Sequence, residues 1–167
     1  MIMNWLRTSN IAAGILTVVR VYLGWLWLSA GWGKAFGDEP FNAGGFLNGA
    51  VANPVVKGGE PVFGWYVSFL ENFAIPNAEL FSFLVAWGEV AVGLGLILGC
   101  LTVWATFFGM VMNFAFLMSG TVSHNPSDIM AEIFICAAGI NSGKFCLDRW
   151  VMPYLKGMIF KNKTHAV

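Results

Sequence analysis

The sequence predicts an all-α integral membrane protein: a four-transmembrane-helix bundle with a long extracytoplasmic segment between helices 1 and 2 that carries short interfacial helices. Three observations predict it. Of 167 residues, 57% are hydrophobic and only 11% charged, against about 25% charged in soluble domains. The mean hydropathy is +0.69, more apolar surface than a soluble domain of this size can hide in one core. Four stretches also hold close to the ~20 mainly apolar residues that a helical crossing needs. The 15 Phe, 8 Trp, 8 Met and 20 Gly suit a lipid-embedded bundle, where glycine permits close helix contact and Trp marks the interfaces. A formal net charge of zero points to no nucleic-acid partner.

The first expected span is residues 11–32, IAAGILTVVRVYLGWLWLSAGW. It is too long for the h-region of a signal peptide, about 7–15 residues, and no A-x-A site follows it. The second is residues 79–99, preceded by Pro76 and by Asn77 as the expected N-cap. The third, residues 101–119, shares almost no loop with the second, so the two form a tight helical hairpin. The fourth, residues 127–143, is short and begins at Asn125, Pro126, Ser127 and Asp128, which supply start signals. Arg7, Lys144, Arg149, Lys156, Lys161 and Lys163 share the side of both termini, whereas only Lys34 and Lys57 lie in the opposite loops. The positive-inside rule therefore places both termini and the tail 144–167 in the cytoplasm, and the segment 33–78 outside. Within that segment FNAGGFLNGAVANP can hold one short helix ending near Pro54. Phe63, Tyr66, Leu70 and Phe73 recur at helical spacing, as in an interfacial helix or a cap packed on the bundle. No tandem repeat or low-complexity tract divides the chain, so residues 1–167 read as a single membrane domain.

Ionisable residues inside such spans are candidates for function. Arg20 and Glu89 each fall near the middle of their own span, and counting from the two faces pairs them at one depth. That pair either fixes helix register or forms an anion-binding or proton-carrying site. Arg20, Gly24, Trp27, Gly31 and Lys34 share one helical face, as do Asp128, Glu132, Cys136, Gly139 and Gly143. Ala91, Gly95 and Gly99 form a small-residue run suited to close packing. Asn113, Glu132, Trp25, Trp27 and Trp87 fall in the outer half, with Asp128 near the outer surface and His124 just above. This describes an aromatic-walled cleft with a few convergent polar groups.

His124, Asp128 and Glu132 have metal-like spacing, but Pro126 interrupts the helix and no metal is expected. His165, the second of 2 histidines, lies in the opposite tail, so no histidine pair is placed to ligate one haem iron, and no flavin or iron–sulfur ligand set is evident. Cys100, Cys136 and Cys146 include no CxxC, so they read as buried apolar thiols rather than a disulfide relay.

The stretches RVYLGWLWLSAGWGKAF, GEVAVGLGLILGCLT and AGINSGKFCLDRW, taken in this order, resemble the DoxX/DoxD family of small bacterial membrane proteins. The family's pattern falls here on Arg20, Gly31, Lys34, Glu89, Gly93, Glu132, Gly143, Leu147 and Asp148. The outer GFLNG and WYVSFLENF look DoxD-like. The resemblance implies a multi-pass protein of the bacterial cell membrane. It also implies a membrane subunit of a quinone-linked oxidoreductase that passes electrons from a sulfur compound such as thiosulfate to menaquinone or ubiquinone, alone, as a homo-oligomer or with a second redox subunit. On that reading Arg20, Glu89 and Glu132 are the catalytic candidates. Arg20, Trp27, Trp87 and Asn113 can donate hydrogen bonds to a quinone, Glu89 or Glu132 can deliver protons, and Lys34, His124 or Arg20 can meet a thiosulfate-like anion. Asp128 completes the candidate binding set. Two other readings use the same residues: a proton-coupled transporter or exporter of a small solute, and a non-catalytic anchor for a partner redox enzyme.

Overall fold

The computed structural model describes residues 1–161. Lys163 and His165 lie outside the described residues, as do the side chains of Lys156 and Lys161. A short helix α1 (Ile2–Thr8) leads into the long α2 (Asn10–Phe36), with Ser9 between them. The Ser9 hydroxyl accepts from the backbone N–H of Ile11 and Ala12 at 3.2 and 3.4 Å, satisfying donors that a helix start leaves open. Next come α3 (Gly44–Ala52), a hairpin of two-residue strands β1 (Val56–Lys57) and β2 (Glu60–Pro61), and α4 (Gly64–Phe69), which continues as a π-helical turn (Leu70–Ala74). The remaining elements are α5 (Ala78–Leu98), α6 (Thr102–Met118), α7 (Asn125–Ala138), a 3₁₀ turn (Gly139–Gly143) and α8 (Asp148–Lys161).

Helices α2 and α5 form the main antiparallel pair; α6 packs on α5, α7 on α6, and α7 returns to α2. Among the described residues α2 and α5 are long and apolar enough to cross a membrane. The stretch Asn125–Gly143 with Asp148–Tyr154 would make a third crossing if its 82° bend is counted within one span, and α6 is apolar but shorter. By length and composition two of the four expected crossings meet the requirement outright, the bent α7 stretch supplies a third, and α6 falls short of it in length.

Polar and charged residues are buried within an otherwise apolar interior, while large apolar side chains cover the outside. Arg20, Glu89, Asn113 and Glu132 are buried, whereas Val18, Trp25, Phe83, Trp104, Phe108 and Ile133 face outward. Such an outward apolar surface belongs in lipid.

The α2–α5 contact is close because its glycines leave room for backbone. A Cβ on Gly93 would stand 2.7 Å from the Leu28 Cα, and one on Gly31 2.7 Å from the Val90 nitrogen. The expected small-residue run does something else. Ala91 is exposed, Gly95 faces Ala105 of α6, and Gly99 closes α5 in the left-handed conformation at φ 63°. Residues 99–101 then make the predicted tight hairpin. Leu101 has no side-chain cap to offer α6, and Asp148 supplies it from the far end of the sequence: its two carboxylate oxygens accept from Leu101 and Thr102 N–H at 2.6 and 2.9 Å.

Residues 43–75 pack as a cap on one end of the bundle. Leu47, Ala50, Tyr66, Leu70 and Ala74 form a second apolar cluster that reaches Ala115 and Met118 of α6. The segment therefore packs on the bundle as a cap, with Trp65 and Phe73 exposed beside the cluster. Asn77 does occupy the N-cap position of α5, but its side chain donates back to Phe73 O at 2.8 Å and makes no cap bond.

Candidate functional site

Arg20 and Glu89 do not meet. The α2–α5 register sets Gly31 against Glu89, Leu28 against Gly93 and Gly24 against Ile97. From Arg20 to Gly31 is about three turns, or about 16 Å at 1.5 Å per residue. Counting depth from each predicted end misplaced the pair because the helix ends are not level: α2 runs on to Phe36, and α5 starts beyond that end.

Glu89 pairs instead with Lys34, whose Nζ lies 2.6 and 2.5 Å from the two carboxylate oxygens. Glu89 is buried, and Lys34 is half-buried with its ammonium 5.5 Å from the centre of the Phe41 ring. Arg20 lies wholly buried at the opposite end of the α2–α5 pair, where α5 finishes. It donates to the carbonyls of Leu96 and Ile97, the last turn of α5, and to Cys146 Sγ. A cation there satisfies carbonyls that the helix cannot pair and complements its dipole. Leu147 and Asp148 complete the attachment through backbone bonds to Leu98 and Gly99.

Glu132, also wholly buried, accepts from Trp27 Nε1 at 3.2 Å and from Asn113 Nδ2 at 3.0 Å. This carboxylate joins α2, α6 and α7. It also consumes the only N–H of the indole, so Trp27 has no donor left for a ligand, contrary to expectation.

These groups surround a cavity of about 400 Å³ under the cap. Its walls include Trp27, Phe41, Phe46, Tyr66, Phe69, Phe81 and Phe116, and its polar corners include Lys34, Glu89, Asn113, His124 and Asp128. Glu132 stands behind the wall, reaching the cavity through Asn113 and Trp27. His124 Nδ1 lies 2.5 Å from Asp128 Oδ2, so the metal-like trio divides into a His124–Asp128 pair and a separate Glu132 cluster. The Tyr66 hydroxyl, 3.0 Å from Ser119 Oγ, is pushed above the usual phenol range by burial and remains protonated at neutral pH.

Trp87 and Trp25 do not line the cavity. Trp87 is partly exposed and packs on Phe36 and Phe83, with ring centres 5.4 and 6.2 Å away, and Trp25 faces outward. Arg20 is likewise absent from the lining. The three cysteines are half-buried rather than enclosed in apolar surroundings, and Cys146 stands against Arg20. Sequence reasoning missed Phe41, Phe46, Phe81 and Phe116 as walls; their only signal was the density of aromatics on both sides of the cap.

The fold and site define a helical membrane protein with a capped, aromatic cavity whose polar corners include an ion pair. Residues 15–121 match the family model described as DoxX, and the chain belongs to the DoxX family. The matched stretch holds Arg20, Lys34, Glu89 and Asn113, while His124, Asp128, Glu132 and Asp148 lie beyond it. Neither a curated protein nor a solved structure matches the chain.

Proposed function

We propose that this DoxX protein is the DoxD-like membrane subunit of a quinone-linked oxidoreductase and that the cavity is its quinone site. The observation that carries this reading is the cavity itself. It pairs aromatic walls for a flat ring with few convergent polar groups, and its size lies within the usual range for small-molecule sites, about 300–1,000 Å³. In this reading residues 1–167 form one domain in a bacterial cell membrane. The helices α2, α5, α6 and α7 serve as four crossings, the cap lies outside and both termini are cytoplasmic, as the distribution of Lys and Arg favours.

The chemistry asked of the site is limited. A quinone takes up two electrons and two protons to become a quinol. Two thiosulfate anions can supply the electrons, each losing one as a sulfur–sulfur bond joins them into tetrathionate. The electrons come directly or through a second redox subunit. Lys34 donates a hydrogen bond to a quinone carbonyl and is held for that task by Glu89. Glu89, on the cavity wall, takes up protons from water and relays them one at a time to the two reduced oxygens, returning each time to the carboxylate, and Glu132 orients Asn113 toward the ring.

Mass spectrometry of the purified protein tests the reading first, since menaquinone or ubiquinone should copurify. Quinone-dependent dye reduction with thiosulfate should be present and should fall at least tenfold in Glu89→Gln while the protein remains folded. A preparation with no bound quinone and no such activity, with or without added partner, overturns the proposal.

A further inference from the structure

The distribution of charge in the cavity decides more than its shape does. We propose that the cavity selects a neutral, planar, carbonyl-bearing ligand and excludes anions, so that the sulfur-anion half of the reaction takes place outside it. The identity of the ligand as a quinone rests on the preceding reading; the exclusion of anions does not.

Among the described residues lining the cavity, Lys34 and His124 are the groups able to carry positive charge. Each already stands against its own carboxylate. Lys34 spans both oxygens of Glu89 at 2.6 and 2.5 Å, and His124 Nδ1 is 2.5 Å from Asp128. Glu132 adds a third carboxyl group directly behind the wall. Arg20, the other buried cation among the described residues, is engaged by the Leu96 and Ile97 carbonyls at the other end of α5 and does not line the cavity. An anion entering here would lose its water, find no unpaired cation and face carboxylates at low dielectric.

The unspent hydrogen-bonding capacity suits a carbonyl. Lys34 has three N–H groups and Glu89 offers it two oxygens, so one N–H is left. Asn113 gives one amide N–H to Glu132 and keeps the other. Both are donors, which is what a neutral carbonyl oxygen needs. Phe41, Phe46 and Phe116 add ring faces and edges for a flat ligand.

Two matched probe pairs test this on the full chain in lipid nanodiscs, with empty nanodiscs as the blank. One pair is 1,4-naphthoquinone and its 2-sulfonate, read by quenching of tryptophan fluorescence. The other is N-phenyl-1-naphthylamine and 8-anilinonaphthalene-1-sulfonate, read by their own fluorescence. In each pair the sulfonate should bind at least tenfold more weakly, and thiosulfate should displace neither neutral probe. Ala30 lines the cavity, so binding should be lost in Ala30→Trp, whose indole fills the space, with the thermal midpoint confirming that this variant is folded. In Glu89→Gln, which frees the Lys34 charge, the gap between neutral and sulfonated probes should narrow severalfold.

Equal binding of a sulfonate, displacement by thiosulfate, an unchanged gap in Glu89→Gln, or no Ala30→Trp-sensitive binding of any probe overturns the inference. If the naphthylamine pair discriminates as expected and the naphthoquinone does not bind, the quinone reading fails while the exclusion of anions stands.

Discussion

Arg20 and Glu89 are both ionisable residues buried among apolar helices, and the fold holds them by opposite devices. At the end where α5 finishes, Arg20 is held by two backbone carbonyls and the Cys146 sulfur. It holds the last carbonyls of α5, while Asn141 donates to the Leu6 and Ser9 carbonyls and Asp148 caps α6. At the capped end Glu89 is met by a side chain, Lys34, and both border open space. Backbone partners cannot move without unwinding a helix, whereas a lysine on a flexible stem can turn toward a ligand. The first arrangement therefore serves architecture, and the second leaves a charge pair able to respond.

The largest effect is expected from Arg20→Gln. Removing a wholly buried cation that serves α5 carbonyls should cost about 3 kcal/mol, seen as a drop in the detergent thermal midpoint. Ligand affinity of the protein that remains folded should be unchanged, and Arg20→Lys should recover only part of the stability. If affinity falls with stability, the two ends are coupled and the contrast between them fails.

Gly93→Ala should cost about 2 kcal/mol, because its Cβ meets the Leu28 backbone and not a yielding side-chain tip. Gly33→Ala, on the same helix pair but in open space, should instead gain about 0.5 kcal/mol. Asp148→Ala removes the cap of α6 and should cost about 1 kcal/mol; a ligand-binding change in this variant would again break the division between ends.

At the capped end the order of effects reverses. Glu89→Gln should change the midpoint less than Arg20→Gln does and yet reduce probe discrimination and quinone turnover most. Trp87→Phe should be the mildest substitution, within about 0.5 kcal/mol and without effect on binding, because Trp87 lies outside the cavity lining. A large binding defect in Trp87→Phe would place the ligand on the outer face of α5.

Much of this was legible in the sequence. The polar stripe from Arg20 to Lys34 follows from the helical repeat, and Arg20, Gly24, Trp27 and Gly31 are indeed buried. The short helix before Pro54, the helical spacing of Phe63 to Phe73 and the hairpin at Gly99 also rest on local pattern and turn chemistry. The partners were not legible. Glu89 was matched to Arg20 by depth alone, and depth depends on where helices end relative to one another. The same ambiguity put Trp87 in the cavity, since position along a helix says nothing about which side faces it.

The sequence by itself determined a helical membrane protein with buried Arg, Glu and Asn residues, because composition and helical periodicity are properties of single segments. Tertiary structure decided the rest. Glycine contacts slid α2 against α5 until Lys34 reached Glu89, the chain's return brought Asp148 to the α6 start and Cys146 to Arg20, and the cap closed a cavity over the ion pair. Those outcomes depend on how segments distant in the chain fit together, and no local pattern carries that information.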